Sequence, residues 1–204
     1  VANTRILAEA GFDACYFMPA ASDAGTSLGA ALLASHTLLG VPRQTHPHTD
    51  YLGPETDDDT IGKELRKAGV PHLTPADLGA PLTEVVAQVL ERGYIVGWYQ
   101  GRAEFGPRAL GNRTILADPR RPEMKDVLNA RVKFREWYRP FAPSILAERC
   151  GDFFEVATPS PYMLRVYPTR AECCHVLPAV THVDGGARVQ TVTREQNPRY
   201  YDLI

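Results

Sequence analysis

Residues 97–142 read GWYQGRAEFGPRALGNRTILADPRRPEMKDVLNARVKFREWYRPFA, and this stretch has the most distinctive composition in the chain. It begins with a strand-like run, turns through glycines and then carries ten cations against five acids. The whole chain of 204 residues has a net charge of −2, so the positive charge is concentrated here. A local basic block in a mildly acidic protein indicates a binding site for an anion.

Eight of these ten cations are arginines, whose planar guanidinium can contact two oxygens of a carboxylate or phosphate at once. Neighbouring glycines and prolines, as at 101–102, 107–108 and 139–140, allow close main-chain approach and fix turns. The alternative is a solvated surface with scattered ion pairs. Interleaved aromatic rings favour the site, because we expect them to be buried beside some of the arginines. The rings are Phe105, Phe134, Trp137, Tyr138 and Phe141.

Length and composition indicate one large or two small globular domains, with 44% hydrophobic and 23% charged residues. No apolar run approaches the length of a membrane span, and the first residues lack a signal-peptide pattern. Both ends are typical of cut ends, so we expect a piece of a longer protein. Four cysteines without a C-x-x-C pair do not indicate zinc and predict reduced thiols in a cytoplasmic protein.

Helical and strand-like patterns of uneven spacing predict an α/β fold, at the border of α+β, with a mixed sheet. Helices are predicted over 3–11, 20–40, 61–69, 82–93, 122–133, 148–155 and from 197 onward. Strands are predicted over 11–19, 70–73, 94–100, 112–118, 141–148, 162–168, 175–183 and 187–195, the last after a tight turn at Asp184 and Gly185.

Two small regions outside the basic stretch could bind ligands. Ser22 or Asp23 can cap the helix over 20–40, and an Asp beside a Gly/Thr/Ser-rich helix start can form a phosphate or metal site. A capped core helix explains the same pattern. In the Pro- and acid-rich arm that follows, three residues could ligate a metal, although alternating ligands in a loop are a weak signal. They are His46, His48 and Asp50.

Several long motifs in chain order resemble the NodU/CmcH-type O-carbamoyltransferases. They are GRAEFGPRALGNRTILADPR, NARVKFREWYRPFAPSIL, SPYM, PAVTHVDGGARVQTV and NPRYYDLI. The resemblance runs over nearly the whole chain. It implies an enzyme that carbamoylates hydroxyl groups of antibiotics, nodulation factors and related metabolites.

The resemblance also implies two units. Residues 1–42 resemble the end of a Kae/Gcp-like domain of the ASKHA fold, 43–59 form a linker arm, and 60–204 resemble a YrdC-like domain. The motif ASDAGTSLGAAL then places a ligand of a metal and nucleotide site at Asp23. This site would take iron or another divalent metal, and it would be incomplete because the family's pair of histidines is absent from the chain.

By the same resemblance, the YrdC-like unit binds carbamoyl phosphate and ATP with Mg²⁺ and forms carbamoyl adenylate, whose carbamoyl group passes to an acceptor hydroxyl. Two anionic substrates repel each other, so several fixed cations are required to hold them together. We assign the carbamoyl phosphate clamp to Arg102, Arg108 and Arg113. The nucleotide phosphates are assigned to Lys133, Arg135, Arg139 and Ser144, similar to the Lys-x-Arg…Ser pattern of YrdC proteins.

His182 and Arg188 are expected to face the same cleft, where His182 could donate to a carbamoyl or phosphate oxygen. For both residues a purely structural role stays open. Arg120 and Arg121 lie in a polar turn and are expected to be solvated.

Two other functions remain. One is a YrdC-like module that binds nucleotide or double-stranded RNA without chemistry, although a single compact basic block argues against RNA. The other is a catalytically idle remnant. A homodimer is compatible with the sequence, and a membrane partner is not expected.

Overall fold

The computed structural model describes residues 2–21, 23–44, 49–155 and 158–204. The α-helices are α1 (Ala2–Glu9), α2 (Asp23–Leu33), α3 (Asp58–Lys67), α4 (Pro75–Leu78), α5 (Leu82–Glu91), α6 (Met124–Val127), α7 (Cys150–Phe153) and α8 (Pro198–Leu203). The strands are β1 (Val96–Tyr99), β2 (Arg113–Leu116), β3 (Ser144–Leu146), β4 (Tyr167–Pro168), β5 (Gly186–Ala187) and β6 (Gln190–Val192). Helices α2 and α6 continue as π-helical turns over Ala34–Leu38 and Leu128–Lys133, and 3₁₀ turns cover Ala147–Arg149 and Ala171–Cys173.

The strands pair in twos. β1 and β2 are antiparallel, β3 and β6 are parallel, and β4 and β5 are antiparallel. The fold is therefore a mixture of helices and strands, as predicted, but the described residues form small sheets in place of one mixed sheet. Pro143, Pro168 and Gly186 adjoin or interrupt these strands, and neither residue type sustains a long ladder.

Three predicted strands are wrong. Residues 11–19 and 70–73 have no regular structure, and 175–183 form successive turns. The turns follow from Pro178, which has no N–H for a ladder. Instead of hydrogen bonds between strands, this segment has local ones: the Leu177 carbonyl accepts from Val180 N and Thr181 N at 3.3 and 3.1 Å. The alternating apolar pattern had suggested a strand, but these local hydrogen bonds prevail.

Separate apolar clusters hold the C-terminal region together. The first packs α7 and β4 against the segment that leads to β6, and its buried members are Cys150, Phe154, Tyr167, Leu177, Val180, Ala187 and Val189. The second joins α5, β1 and α8 through Val86, Trp98, Val192, Tyr200 and Leu203. The last turns of the basic stretch pack on Met124, Leu128 and Ala179. Burial of these side chains is the main stabilising contribution, and it fixes the ends of the loops described below.

The N-terminal helices differ in how they contact the rest of the chain. Asn3 and Thr4 of α1 donate to the carbonyls of Leu164 and Val166 at 3.0 and 2.9 Å. Among the described residues, α2 buries none of its side chains. It is therefore not a core helix in this chain, and Asp23 lies exposed in its first turn.

No helix in the part of the chain that the structure describes is both long and apolar enough to cross a membrane.

Candidate functional site

The glycine-rich loop between β1 and β2 is built around the carboxylate of Glu104. Its Oε1 accepts from the main-chain N–H groups of Leu110 and Asn112 at 2.7 and 2.9 Å. Both oxygens of Glu104 also accept from Arg113 N, at 3.2 and 3.1 Å. Gly111 has φ of +107°, and a Cβ there would lie 2.3 Å from the Tyr200 ring, so only glycine fits. An acid thus shapes the most basic loop of the chain.

Buried amide side chains support this loop from below. Gln100 Nε2 donates to Asn112 Oδ1 at 2.9 Å and to Asn197 Oδ1 at 2.6 Å, and Asn197 Nδ2 donates to Asn112 Oδ1 at 2.8 Å. Gln190 Nε2 donates to the Leu110 carbonyl at 2.9 Å. Such paired buried amides rigidify a loop, because each would be costly to leave without a partner.

Arg113 and Arg102 were both predicted in the phosphate clamp, and the structure shows what each of them contacts. The Arg113 guanidinium donates to the carbonyls of Gln100, Gly101 and Asn112 at 2.6, 3.0 and 3.0 Å. It also lies 3.5 Å from the centre of the Tyr99 ring. Arg113 therefore ties the loop together, with few donors left for a ligand.

Arg102 is exposed at the edge of a polar cavity of about 440 Å³. The same cavity is lined by Asp57 and Asp58, so the positive charge of Arg102 is partly offset there.

Arg108, Arg135 and Arg188 form a cluster, which we call the arginine cluster. Burial in the first place, then the charges of Arg108 and Arg135, lowers the pKa of Arg188 to about 10. None of the three forms a salt bridge within the described residues. The buried Nε atoms of Arg108 and Arg188 also have no hydrogen-bond partner there. Glu136 acts on Arg135 only as a nearby charge and forms no salt bridge with it. Like charges held together without a direct carboxylate contact form a site that favours an anion.

His182 lies beside this cluster at the start of the predicted tight turn. His182 N donates to the Gly186 carbonyl at 2.8 Å, and Gly185 has φ of +76°. Burial lowers the pKa of the imidazole, the charge of Asp184 and then the main chain of Phe141 oppose this shift, and the charge of Arg188 adds to it. Its Nε2 atom is buried and has no partner in the described structure. The sequence analysis had assigned Arg108 and Arg135 to two different phosphate groups, whereas in the structure both act on Arg188.

Sequence reasoning missed Asn129, which positions the loop that carries Arg135. The side chain is 1% exposed. Its Oδ1 accepts from Arg135 Nε at 2.7 Å, and its Nδ2 donates to the carbonyls of Trp137 and Arg139 at 3.1 and 3.0 Å. The Arg135 guanidinium also lies 4.5 Å from the centre of the Phe141 ring. No short motif marks Asn129, because its partners become close only after the loop folds back.

In the same turn, three of the aromatic side chains that were expected to be buried are exposed. Phe134, Trp137 and Tyr138 are 82%, 71% and 64% exposed, although we expected burial. Phe134 has φ of +47°, which turns the chain as it leaves the π-helical segment. Asn129 then holds the next carbonyls inward, so these side chains face outward.

The remaining candidates for the nucleotide phosphates lie around this loop. Lys133 is exposed at its start. Arg139 is exposed and lies 3.5 Å from Glu136 Oε2, as a surface pair of small energetic value. Ser144 Oγ donates to Gln190 Oε1 at 2.8 Å and lines a largely apolar cleft of about 320 Å³. Lys133 and Arg139 are thus exposed and Ser144 lines the apolar cleft, whereas Arg135 lies in the arginine cluster.

Arg120 is exposed, as predicted for a solvated residue, and its side chain is also held by an acid. It forms a two-point contact with the buried carboxylate of Asp118, with an Nη2–Oδ2 distance of 2.7 Å and an Nε–Oδ1 distance of 2.9 Å. The hydrogen bonds from Arg120 hold the pKa of Asp118 below its usual range. Arg121 donates to the Glu91 carbonyl at 3.0 Å.

Asp50 is a buried acid beside the glycine-rich loop. It is 5% exposed, and its carbonyl accepts from the Phe105 N–H. A Cβ on Gly106 would lie 3.9 Å from Asp50 Oδ2. Burial, and then the negative charge of Glu104, raises the pKa of Asp50 to about 6.

This shift predicts a pH-dependent stability. The folded protein holds the Asp50 proton more tightly than the unfolded chain, so the stabilising contribution is present below about pH 4 and is lost as the pH rises through about 6. Between about pH 4 and about pH 7, we expect the unfolding free energy of Asp50→Asn to rise by about 2 kcal/mol relative to that of the wild type. Urea unfolding across this range checks it, with exposed Asp13→Asn as the control. If the difference in unfolding free energy between Asp50→Asn and the wild type stayed constant over this pH range, the prediction would be wrong.

The described residues include no group of three His, Cys, Asp or Glu side chains placed to hold a metal ion. His46 and His48 lie outside the described residues. Asp23 has no further ligand among the described residues, so they do not by themselves fit a metal centre, and the site at Asp23 stays a prediction.

The chain is similar to known proteins over its whole length. A family model described as "Carbamoyltransferase C-terminus" matches residues 87–204. The nodulation protein NolO of Bradyrhizobium diazoefficiens is 45% identical over 99% of the chain, which covers 37% of that protein. A 3'-hydroxymethylcephem-O-carbamoyltransferase of Streptomyces clavuligerus is 40% identical over 95% of the chain, which covers 34% of that protein. The chain thus spans little more than a third of these curated relatives.

Proposed function

The chain belongs to the carbamoyltransferase C-terminal family, and from this premise we propose that the arginine cluster binds carbamoyl phosphate for transfer of its carbamoyl group to a hydroxyl-bearing acceptor. The observation that carries the proposal is the convergence of Arg108, Arg135 and Arg188 without a salt bridge in the described chain. A phosphate dianion would relieve their mutual repulsion, and each arginine could donate to it twice.

The same cations would assist the departure of phosphate. Negative charge grows on the bridging oxygen as the bond from the carbamoyl carbon breaks, and guanidinium groups already in place stabilise that charge without reorganisation. With ATP, carbamoyl phosphate and one water would give carbamoyl adenylate, inorganic phosphate and pyrophosphate. Lys133, Arg139 and Ser144 remain the residues that we propose for the nucleotide phosphates, which carry Mg²⁺ themselves.

Arg102 and Arg113 take lesser roles in this proposal. Arg113 positions the loop through its carbonyl contacts, and Arg102 lies at the polar cavity with Asp57 and Asp58. The clamp is therefore reassigned to Arg108, Arg135 and Arg188, with His182 beside them.

The test incubates the chain with carbamoyl phosphate, ATP and magnesium and looks for carbamoyl adenylate and pyrophosphate, while calorimetry measures the affinity for carbamoyl phosphate. Arg108→Ala is expected to weaken binding by about 1.5–3 kcal/mol, the range for hydrogen bonds to a charged group. Arg66→Ala, an exposed arginine on α3, is the control and should bind like the wild type. Absence of both product and binding would refute the proposal for this chain.

A further inference from the structure

Three buried nitrogen atoms at the arginine cluster lack partners in the described structure: Nε of Arg108, Nε of Arg188 and Nε2 of His182. The first two can only donate, because a guanidinium has no acceptor. The imidazole nitrogen can do either, depending on where the ring proton lies. The position of the ring proton on His182 therefore determines which group, apart from phosphate, the site can bind.

The surroundings of His182 indicate a neutral ring with its proton on Nδ1. Burial is the largest cause that lowers the pKa of His182; the charge of Asp184 opposes it, and the charge of Arg188 adds to it, so that the pKa is lowered. The main chain of Phe141 raises the pKa of His182, as a carbonyl that faces a ring N–H does. Since the buried Nε2 has no partner, we assign this contact to Nδ1, which then carries the ring proton. Nε2 is then left as a buried lone pair.

The lone pair of His182 Nε2, which lies among arginines, is complementary to the NH₂ group of carbamoyl phosphate. The phosphate group offers only acceptors, which the arginines satisfy, but the carbamoyl NH₂ offers two donors that no arginine can accept. We propose that His182 Nε2 accepts a hydrogen bond from the carbamoyl NH₂ and thereby distinguishes carbamoyl phosphate from acyl phosphates that lack an N–H. This inference rests on the proposed function, and it reverses the donor role that the sequence suggested for His182.

Acetyl phosphate is the matched probe, because it carries a methyl group in place of NH₂ and is otherwise of similar shape and charge. The wild type is expected to bind carbamoyl phosphate about tenfold more tightly than acetyl phosphate, since binding the methyl leaves a buried acceptor without a partner. In His182→Phe the two affinities should become equal within about twofold, and the loss of affinity for carbamoyl phosphate should exceed any loss for inorganic phosphate. His182→Gln, whose side-chain oxygen can accept, should restore part of the difference.

His175→Phe is the control, because His175 is exposed on the preceding turns and should keep the wild-type ratio. If His182→Phe does not fold, His182→Ala provides the same comparison. Equal wild-type affinities for the two acyl phosphates would overturn the inference while leaving the proposed function intact. An equal loss of inorganic phosphate binding in His182→Phe would show that His182 donates to phosphate, which also overturns it. No wild-type binding of any of these anions would refute the proposed function, and the inference with it.

Discussion

The Arg188→Met protein is expected to unfold at a higher temperature than the wild type and to lose most of its affinity for carbamoyl phosphate. Arg188 is half-buried, and its pKa is lowered to about 10 by burial and by Arg108 and Arg135. The empty site therefore holds a charge that destabilises the fold. Methionine keeps much of the side-chain volume without the charge, so we expect a gain of about 1–3 kcal/mol in unfolding free energy.

The loss of affinity has a separate cause. Arg188 would donate charged hydrogen bonds to the phosphate, and without them binding should weaken roughly 10- to 150-fold. Thermal unfolding with and without inorganic phosphate measures both effects. Phosphate should raise the melting temperature of the wild type and have little effect on Arg188→Met.

Arg66→Met, on the exposed face of α3, is the matched control and should change neither quantity. If Arg188→Met is less stable than the wild type and still responds to phosphate, Arg188 is a structural residue and the cluster is not the anion site.

Glu104→Ala is expected to abolish anion binding even though it makes the loop more positive. The Glu104 carboxylate accepts from three main-chain N–H groups, those of Leu110, Asn112 and Arg113. Without it the loop loses the hydrogen bonds that fix the position of Arg108. We expect a loss of about 3 kcal/mol in unfolding free energy, since hydrogen bonds to a charged group contribute about 1.5–3 kcal/mol each and part of that is recovered by water.

Urea unfolding and phosphate titration of Glu104→Ala measure this effect. Glu104→Gln keeps one acceptor oxygen and should fall between alanine and the wild type. Glu123→Ala removes an exposed acid from the same basic stretch and is the control for charge alone. A simple Coulomb argument predicts tighter anion binding for both alanine variants. Tighter binding by Glu104→Ala would therefore contradict the role of Glu104 as the organiser of the loop.

The elements with strong local signals were predictable. The strands over 94–100 and 112–118 appear as β1 and β2, and the helix over 82–93 appears as α5. The structure of residues 175–183 was not predictable. Their alternating apolar and polar side chains predict a strand, whereas Pro178 and the hydrogen bonds to the Leu177 carbonyl enforce turns. The limit is physical: an alternating pattern describes which side chains could be buried, and the available hydrogen-bond partners decide the backbone.

Glu104 and Asn129 illustrate the same limit for the site. Each has polar side-chain atoms that bind main-chain groups several residues away in the chain, Glu104 within the glycine-rich loop and Asn129 behind Arg135. Sequence could have marked Glu104 as a lone acid between Gly101 and Gly106. For Asn129 the sequence contains no comparable signal.

The amino-acid sequence alone determined that this chain concentrates positive charge in residues 97–142, that the charge is mostly arginine, and that its motifs resemble O-carbamoyltransferases. The folded structure shows which arginines are already held by other groups. Arg113 is occupied by carbonyls and Arg120 by Asp118, whereas Arg108 and Arg188 come together from distant positions in the chain. Charge and hydrogen bonding act through space over a few ångströms, so the partner that neutralises an arginine, or the absence of one in the described chain, is set by the folded backbone and not by the spacing of residues.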